Sequence, residues 1–355
     1  MFEKLFEGLR RTCWRMEALP DVPSGVGIWG AGTKGRKLQR ALLERNIVTD
    51  FFVDNDLMLQ GESINGAEVI PLEFLGRQAP RPIFITPNLG YDMAMRLRRL
   101  GFEEFYHIND GYWRPTFPML EHEKELEHVY ELLADAESRT SYAAIIQAWA
   151  TGQSDFVHPA AYPQNKHPRV KALPGDIIVN GGGYVGNVAS NFARLTNRSC
   201  QVYSFEPSPV LSAEMWRNIE ARGLQDLVIP VNMLLWKERG FVPFSMETPF
   251  SGNSRAATNA TTYVPAIDLD TFVLERKLQR VDLIELDVEG SEMDVLNGAA
   301  ATIARFKPRL QISLYHASEH LWQIPLYLHN LVPQYTFYIG HHTLNFNETM
   351  LYAIV

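Results

Sequence analysis

Two groups of residues in this sequence have the types and spacing to do chemistry. The first is a glycine run followed by an acid. Asn180, Gly181, Gly182, Gly183, Tyr184 and Gly186 follow the short β-branched run 177–179, and Glu206 stands about 20 residues past the last glycine. Glycines let a backbone come close to a ligand, and a carboxylate at that distance lies where a ribose hydroxyl would be. Read literally, 181–186 is G-x-G-x-x-G, which suits a nicotinamide dinucleotide. S-adenosylmethionine fits equally, because the same kind of carboxylate can hold its ribose. A glycine turn that binds nothing is the bland alternative. The second group is Asp287, Glu289 and Glu292, crowded where an apolar strand runs into a helix, with His316 just past the next strand. A helix start favours negative charge, so one of these acids can be a cap. The others suit proton transfer: Asp287 or His316 as a base, and Glu289 to orient a substrate. Asp287 and Glu289 are oxygen donors of the kind Mg²⁺ takes, but nothing in their spacing requires a metal.

These residues need a sheet to position them. Strands are expected at 177–179, 201–205, 227–231, 281–287 and 309–315, with helices between them carrying Val188, Phe192 and Leu195, then 211–222, then Met293, Val295 and Leu296. Alternation of this kind gives a parallel sheet covered by helices, with ligands at the carboxyl ends of the strands. Asn232, just past the third strand, is a candidate adenine contact. Residues 241–246 read as a hairpin strand. Residues 247–262, rich in Ser, Thr, Asn, Gly and Ala, read as a solvated loop and candidate substrate lid. The last two strands, 335–341 and 349–355, are joined too closely for a parallel crossover and should form an antiparallel hairpin. A reversed final strand marks the methyltransferase variant of this sheet, whereas a dinucleotide dehydrogenase ends on parallel strands.

A second glycine turn lies upstream. Residues 25–29 read as a strand, followed by Gly30, Gly32 and Gly35, a helix, a strand at 50–53 and then Asp54. This too is a complete dinucleotide fingerprint. Either it holds a nucleotide or sugar nucleotide, or it is a scaffolding Rossmann-like unit. The expected organisation is α/β with two Rossmann-like domains. Residues 1–110 form the first. A helical connector spans 111–175, with Ser138 or Thr140 as helix cap and a loop carrying Pro159, Pro163, Pro168 and Pro174. Residues 176–355 form a seven-stranded class I methyltransferase sheet with an antiparallel final strand.

Composition narrows the partners. A net charge of −8 argues against a large nucleic-acid surface. No apolar run reaches the length of a membrane span. Cys13 and Cys200 fit neither a metal spacing nor a disulfide framework. The opening residues 1–16 read as an amphipathic helix without a cleavable apolar core. The expected place is the cytoplasm, and the expected partner is a small molecule or glycan, not nucleic acid or membrane.

Taken together, Phe205-Glu206-Pro207, Asp287-Val288-Glu289-Gly290 with Glu292, and the stretch 315–325 resemble the FkbM family of S-adenosylmethionine-dependent methyltransferases over about residues 120–355. The resemblance implies methyl transfer to a hydroxyl of a sugar, glycan or secondary metabolite, with Glu206 on the ribose. The family's loop usually reads D-x-G-A-N-x-G, which falls on Asn180, Gly182, Tyr184 and Gly186. Here Asn180 lacks the carboxylate that attracts the cofactor's positive charge. Tyr184 replaces a small polar group with a ring that stacks on the ligand or obstructs it. Glu285 stands where the family commonly has Lys. These departures keep open a binding or scaffolding protein with a degenerate site, beside an enzyme and an NAD-dependent oxidoreductase.

Overall fold

The computed structural model describes residues 2–6, 25–79, 81–86, 93, 96–97, 99–102, 105–107, 121–151, 156–245, 255–256 and 262–355. They divide into two compact units. One comprises residues 1–124, 140–159 and 343–347; the other comprises 125–139, 160–342 and 348–355.

The first unit is built on a six-stranded sheet of β1 (Val26–Trp29), β2 (Thr49–Val53), β3 (Ser63–Ile64), β4 (Ala67–Ile70), β5 (Ile83–Ile85) and β6 (Phe105–His107), in the order β3-β4-β2-β1-β5-β6. All pairs are parallel except β3 with β4. That hairpin turns on Asn65 and Gly66, both at positive φ, the two-residue turn that Asn-Gly favours. Strands buried on both faces explain the apolar runs. Val26, Ile28, Phe52 and Val69 pack with Leu38 and Leu42 of α1 (Thr33–Leu43), while Trp29, Phe51, Val53 and Ile85 pack into a second cluster. Of the expected N-terminal helix, residues 2–6 are helical with Phe2 and Phe6 buried, and 7–24 lie outside the described residues. A four-residue helix, α2 (Leu72–Leu75), leads toward β5.

Between β6 and β7 lie α3 (Glu123–Leu132) and α4 (Ala136–Thr151), and the residues 111–175 expected as one connector are shared between the two units. The cap of α4 is neither Ser138 nor Thr140. Asp135 lies just ahead of the helix and its Oδ1 accepts from the Ser138 N–H at 2.8 Å. That is the bond an N-cap carboxylate makes, so Ser138 falls within the first turn instead.

The second unit carries a seven-stranded sheet: β7 (Asp176–Gly181), β8 (Cys200–Phe205), β9 (Val228–Val231), β14 (Leu283–Leu286), β15 (Arg309–Ser313), β16 (Thr336–His341) and β17 (Thr349–Ile354). The order is β16-β17-β15-β14-β7-β8-β9. β17 runs antiparallel to both neighbours, and β15, β14, β7, β8 and β9 are mutually parallel. The expected reversed hairpin at the end of the chain is therefore present. Helices α5 (Asn187–Leu195) and α6 (Pro209–Ala221) bury Ala189, Phe192, Ala193, Met215 and Ile219 against Ile178 and Val202. A small second sheet has the order β10-β13-β11-β12, from β10 (Leu234–Leu235), β11 (Gly240–Ser245), β12 (Arg255–Ala256) and β13 (Thr262–Ile267). β11 and β13 form the hairpin expected from residue 241 onward. Most of the candidate lid, 247–254 and 257–261, lies outside the described residues. The remaining helices are α7 (Leu269–Glu275), α8 (Glu292–Asn297), α9 (Ala300–Phe306) and α10 (His320–Leu331). Among the described residues no helix is long and apolar enough to cross a membrane.

The chain moves outward from β7 through β8 to β9, then returns to β14 on the other side of β7. The sheet's switch point thus lies between β7 and β14, where Gly181 and Leu286 pair. Ligands of open α/β sheets bind at such a crevice.

Candidate active site

Both groups of chemical residues meet at this switch point. The turn after β7 is set by backbone demands. Gly182 has φ of 87°, and a Cβ there would lie 1.9 Å from the carbonyl oxygen of Asp287. Only glycine lets the turn lie so close to the end of β14. Gly183 is similarly closed in, its absent Cβ facing Ser204 Oγ at 2.6 Å. Tyr184 takes a left-handed φ of 47°, and Gly186 at 83° forms the N-cap of α5. The N–H groups of Gly182 and Gly183 donate to the Phe205 carbonyl at 3.2 and 2.7 Å, which ties the turn to the end of β8.

Glu206 faces that turn. Its Oε2 accepts from the Tyr184 N–H at 2.9 Å and its Oε1 from the Ser208 N–H at 2.8 Å. Burial pushes its carboxyl up to about 7, against the downward pull of these two bonds. Tyr184 is 40% exposed. Asn232 donates from Nδ2 to the Glu206 and Pro207 carbonyls at 2.8 and 3.2 Å and fixes the bend after β8. Ser208 then caps α6, with Pro209 in its first turn.

Beneath the turn, strand register lines up Ser204, Asn180, Glu285 and Gln311 across four strands. All four are buried. Ser204 Oγ donates to Asn180 Oδ1 at 2.6 Å, and Asn180 Nδ2 donates to Glu285 Oε2 at 2.5 Å. Burial, with the charge of Asp287 behind it, raises the Glu285 carboxyl well above its ordinary range. The Asn180 side chain is thus turned into the sheet, and its backbone leads into the turn.

Beyond β14 the acids gather around one imidazole. His316 Nδ1 is 2.7 Å from Glu292 Oε1, and Nε2 faces Asp287 Oδ1 at 3.4 Å and Glu289 Oε2 at 3.6 Å. Glu289 reaches this place from a left-handed backbone, φ 54°, followed by Gly290 at 98°. Burial alone would lower the His316 pKa, but the carboxylates of Glu292, Asp287 and Glu289 push it up to about 9. Glu292 is fully buried, receives the Val288 N–H at 3.0 Å, and lies 3.2 Å from His320 Nδ1. Burial would raise its carboxyl, yet His316 holds it below the ordinary range. Burial lowers His320 despite Glu292, so the positive charge of the cluster belongs to His316. Tyr315 donates to Asp287 Oδ1 at 2.9 Å. Glu348, ahead of β17, is pushed up to about 6 by burial and by Asp287.

Asp287, Glu289 and His316 are therefore brought together. The glycine turn and Glu206 join them through the contact of Gly182 with Asp287. Sequence reasoning missed Glu292 as the group that holds His316, as well as Tyr315 and Glu348. The motif around Asp287 contained the signal for Glu292, which a capping role masked.

In the first unit the corresponding turn repeats part of this pattern. Asp54 Oδ2 accepts from the Ala31 N–H at 2.6 Å and Oδ1 from the Asp56 N–H at 2.9 Å. Gly30 has φ of 108°, a Cβ on Gly35 would lie 1.8 Å from the Gly30 carbonyl, and Gly32 caps α1 over open space.

A switch-point crevice with a glycine turn, a facing acid and a reversed last strand defines the class I methyltransferase architecture. Residues 176–343 match the Methyltransferase FkbM domain, so this part of the chain belongs to the FkbM methyltransferases. The chain is similar to the crystal structure of Methyltransferase FkbM from Methylobacillus flagellatus KT, with 17% identity and a TM-score of 0.77 over 99% of this chain and 98% of that one. At that identity the likeness is one of fold. Fainter likenesses are to a putative rRNA-methylase from Clostridium thermocellum (12% identity, TM-score 0.34, 52% of this chain and 87% of that one) and to Aeropyrum pernix fibrillarin with bound S-adenosyl-L-methionine (14%, 0.34, 54% and 71%). No curated protein matches. Against the family's usual residues, two of the departures prove to be partners: Asn180 and Glu285, where Asp and Lys are common, are the two ends of one hydrogen bond.

Proposed function

We propose that the protein is an S-adenosylmethionine-dependent O-methyltransferase acting in the cytoplasm on a hydroxyl of a sugar, glycan or secondary metabolite. The observation that carries this reading is the Glu206 carboxylate, buried and aimed at the glycine turn with its oxygens on two backbone N–H groups. That placement suits the two hydroxyls of a ribose. Gly181, Gly182 and Gly183 keep side chains out of the turn, and Tyr184 and Asn232, the latter bonded to the bend after β8, are read as further cofactor contacts.

The cofactor supplies an activated methyl group, and the chain's own residues do the rest. Held at the turn by Glu206, that group would suit in-line attack by the acceptor oxygen, which must lose its proton as the new bond forms. Asp287 would take the proton, a contribution typically worth about 10²–10⁴-fold, because His316, the other candidate base, is already protonated by the carboxylates around it. Glu289 orients the acceptor at the same edge. The reversed β17 disfavours a nicotinamide cofactor. The Asn180–Glu285 bond favours a built site over an eroded one. Gly30, Gly32, Gly35 and Asp54 are read as a second nucleotide or sugar-nucleotide site.

Isothermal titration with S-adenosylmethionine, followed by tritiated-methyl transfer to a panel of hydroxylated sugars, tests this reading. Saturable binding of one cofactor per chain is expected. A protein that binds none would end it.

A further inference from the structure

Helix α5 has a second face. Ala189, Phe192 and Ala193 are buried in the core, while Asn187, Ser190, Asn191 and Arg194 line a groove of about 690 Å³ that Arg198 and Arg222 complete. This lining holds three arginines and no acid. The nearest acids along the chain, Glu220 and Asp226, do not line it. Among the described residues, every hydrogen bond of the three arginines goes to a neutral group. Arg222 donates from Nη1 to Ser190 Oγ at 2.8 Å and from Nη2 to Asn187 Oδ1 at 3.0 Å. Arg194 donates from Nη2 to Asn191 Oδ1 at 2.7 Å, and Arg198 from Nη2 to the Gly223 carbonyl. Ser190 Oγ in turn donates to the Gly186 carbonyl at 2.7 Å, so the bracing reaches the cap of α5. Elsewhere in the same unit Arg217, Arg239, Arg280 and Arg309 each lie against a carboxylate.

We propose that this groove binds a chain of two or three linked phosphates, free or as the tail of a nucleotide, on Arg194, Arg198 and Arg222. The chemistry fits. A guanidinium is a planar fork of five N–H donors that matches phosphate oxygens two at a time. Arg222 spends two donors on α5 and the others one each, so donors remain for a ligand. Bonds to neutral oxygens hold the three heads in place without cancelling their charge, which lowers the ordering cost of binding. Helix geometry alone does not account for the cluster. The C-terminal end of a helix carries about half a negative charge, and three cations stand here. Arg198 also sits at a left-handed φ of 62°, directly after Asn197 at 52°, a costly backbone for a long side chain. Size fits as well. The stretch 187–194 is roughly 10 Å long at about 1.5 Å per residue, more than a single phosphate spans. The groove has the volume of a small-molecule site, and a net charge of −8 favours a compact anion over a nucleic-acid duplex. None of these residues is among those assigned to the cofactor or to proton transfer, so the groove stands apart from the methyltransferase reading.

The test is calorimetric titration of the full-length protein with inorganic triphosphate at low salt, then with pyrophosphate and orthophosphate. One triphosphate per chain is expected, with pyrophosphate weaker, orthophosphate weakest, and all three weakening as salt rises. Arg194→Gln and Arg222→Gln should each lower the affinity roughly tenfold, as loss of a hydrogen bond to a charged group does. The double variant should bind none. Arg222→Lys keeps the charge but not the fork and should fall between parent and Arg222→Gln. Arg194 is exposed, so its variant guards against loss through misfolding, and circular dichroism checks the fold of each protein. ATP that displaces bound triphosphate would mark a nucleotide tail as an occupant, whereas ATP that does not would assign the groove to free phosphate chains. No saturable triphosphate binding, orthophosphate bound as tightly as triphosphate, or a folded double variant that binds as the parent does would overturn the proposal.

Discussion

The chain contains two glycine turns that look alike and differ in what lies beside them. In each, a backbone N–H of the turn reaches a carboxylate at the end of the next strand: Ala31 to Asp54 in the first unit, Tyr184 to Glu206 in the second. Each turn sits at a switch point, and each has a glycine whose missing Cβ admits a carbonyl oxygen. The difference is the strand across the crevice. In the first unit Thr86 follows β5, and its hydroxyl donates to the Trp29 and Gly30 carbonyls. In the second, β14 delivers Asp287 into a group of acids around His316. The pair of glycine turn and acid is common to both units. Among the described residues, the acids clustered around a histidine lie beside the turn of the second unit.

Paired substitutions can break that comparison. The largest effect should come from Asp287→Asn, which is expected to lower kcat by about 10²–10⁴-fold. Thr86→Val, its counterpart by position, should leave methyl transfer unchanged. A stopped radiochemical assay on both variants decides whether chemistry is one-sided.

The turns themselves come next. Gly182→Ala forces a left-handed φ on a residue with a Cβ and drives that Cβ into the Asp287 carbonyl. The backbone alone costs about 1–3 kcal/mol, and the clash adds to it, so a clear drop in Tm and loss of cofactor affinity are expected. Gly32→Ala meets nothing within 4 Å at an ordinary φ of −73° and should melt as the parent does. Equal losses in the two variants would mean that the turns are equally constrained.

The acids give a smaller effect. Glu206→Gln should weaken S-adenosylmethionine binding by roughly 10–100-fold, from hydrogen bonds to a charged group worth about 1.5–3 kcal/mol. Asp54→Asn should leave that affinity untouched, as titration calorimetry would register.

The smallest effect is in the pH dependence. The Glu206 carboxyl is raised from 4.5 to about 7. Between those values the folded protein binds the proton more tightly than the unfolded chain, so the free protein loses stability as pH rises through that window. Binding should run in the opposite sense. Ribose hydroxyls donate to the carboxylate, so cofactor affinity falls as pH drops below about 7. In Glu206→Gln the affinity slope should vanish and the stability slope should shrink to what the raised Glu285 and Glu348 carboxyls contribute.

Much of this was legible in the sequence because the signals are local. The glycine run, Glu206 and the acids from Asp287 to Glu292 are contiguous or one helix apart, and the short link before residue 349 left the last strand no choice but to reverse. What escaped is set by register and burial. Asn180 and Glu285 read as separate departures because 105 residues divide them, yet adjacent strands make them a bonded pair. Glu292 read as a possible cap because its two histidines, His316 and His320, come from beyond another strand. Glu348 shows no motif and acquires its role from the hairpin that carries it toward Asp287.

The Asn180–Glu285 bond has an evolutionary consequence. An Asp–Lys pair and an Asn–Glu pair can each satisfy this buried spot, but no single codon change converts one into the other without stranding a charge. Asn beside Lys leaves a buried cation unmatched, and Asp beside Glu sets two acids against each other. Lineages with this sheet should therefore fall into two classes at these positions, with few mixtures between them, and a chain that has crossed would find the way back equally steep.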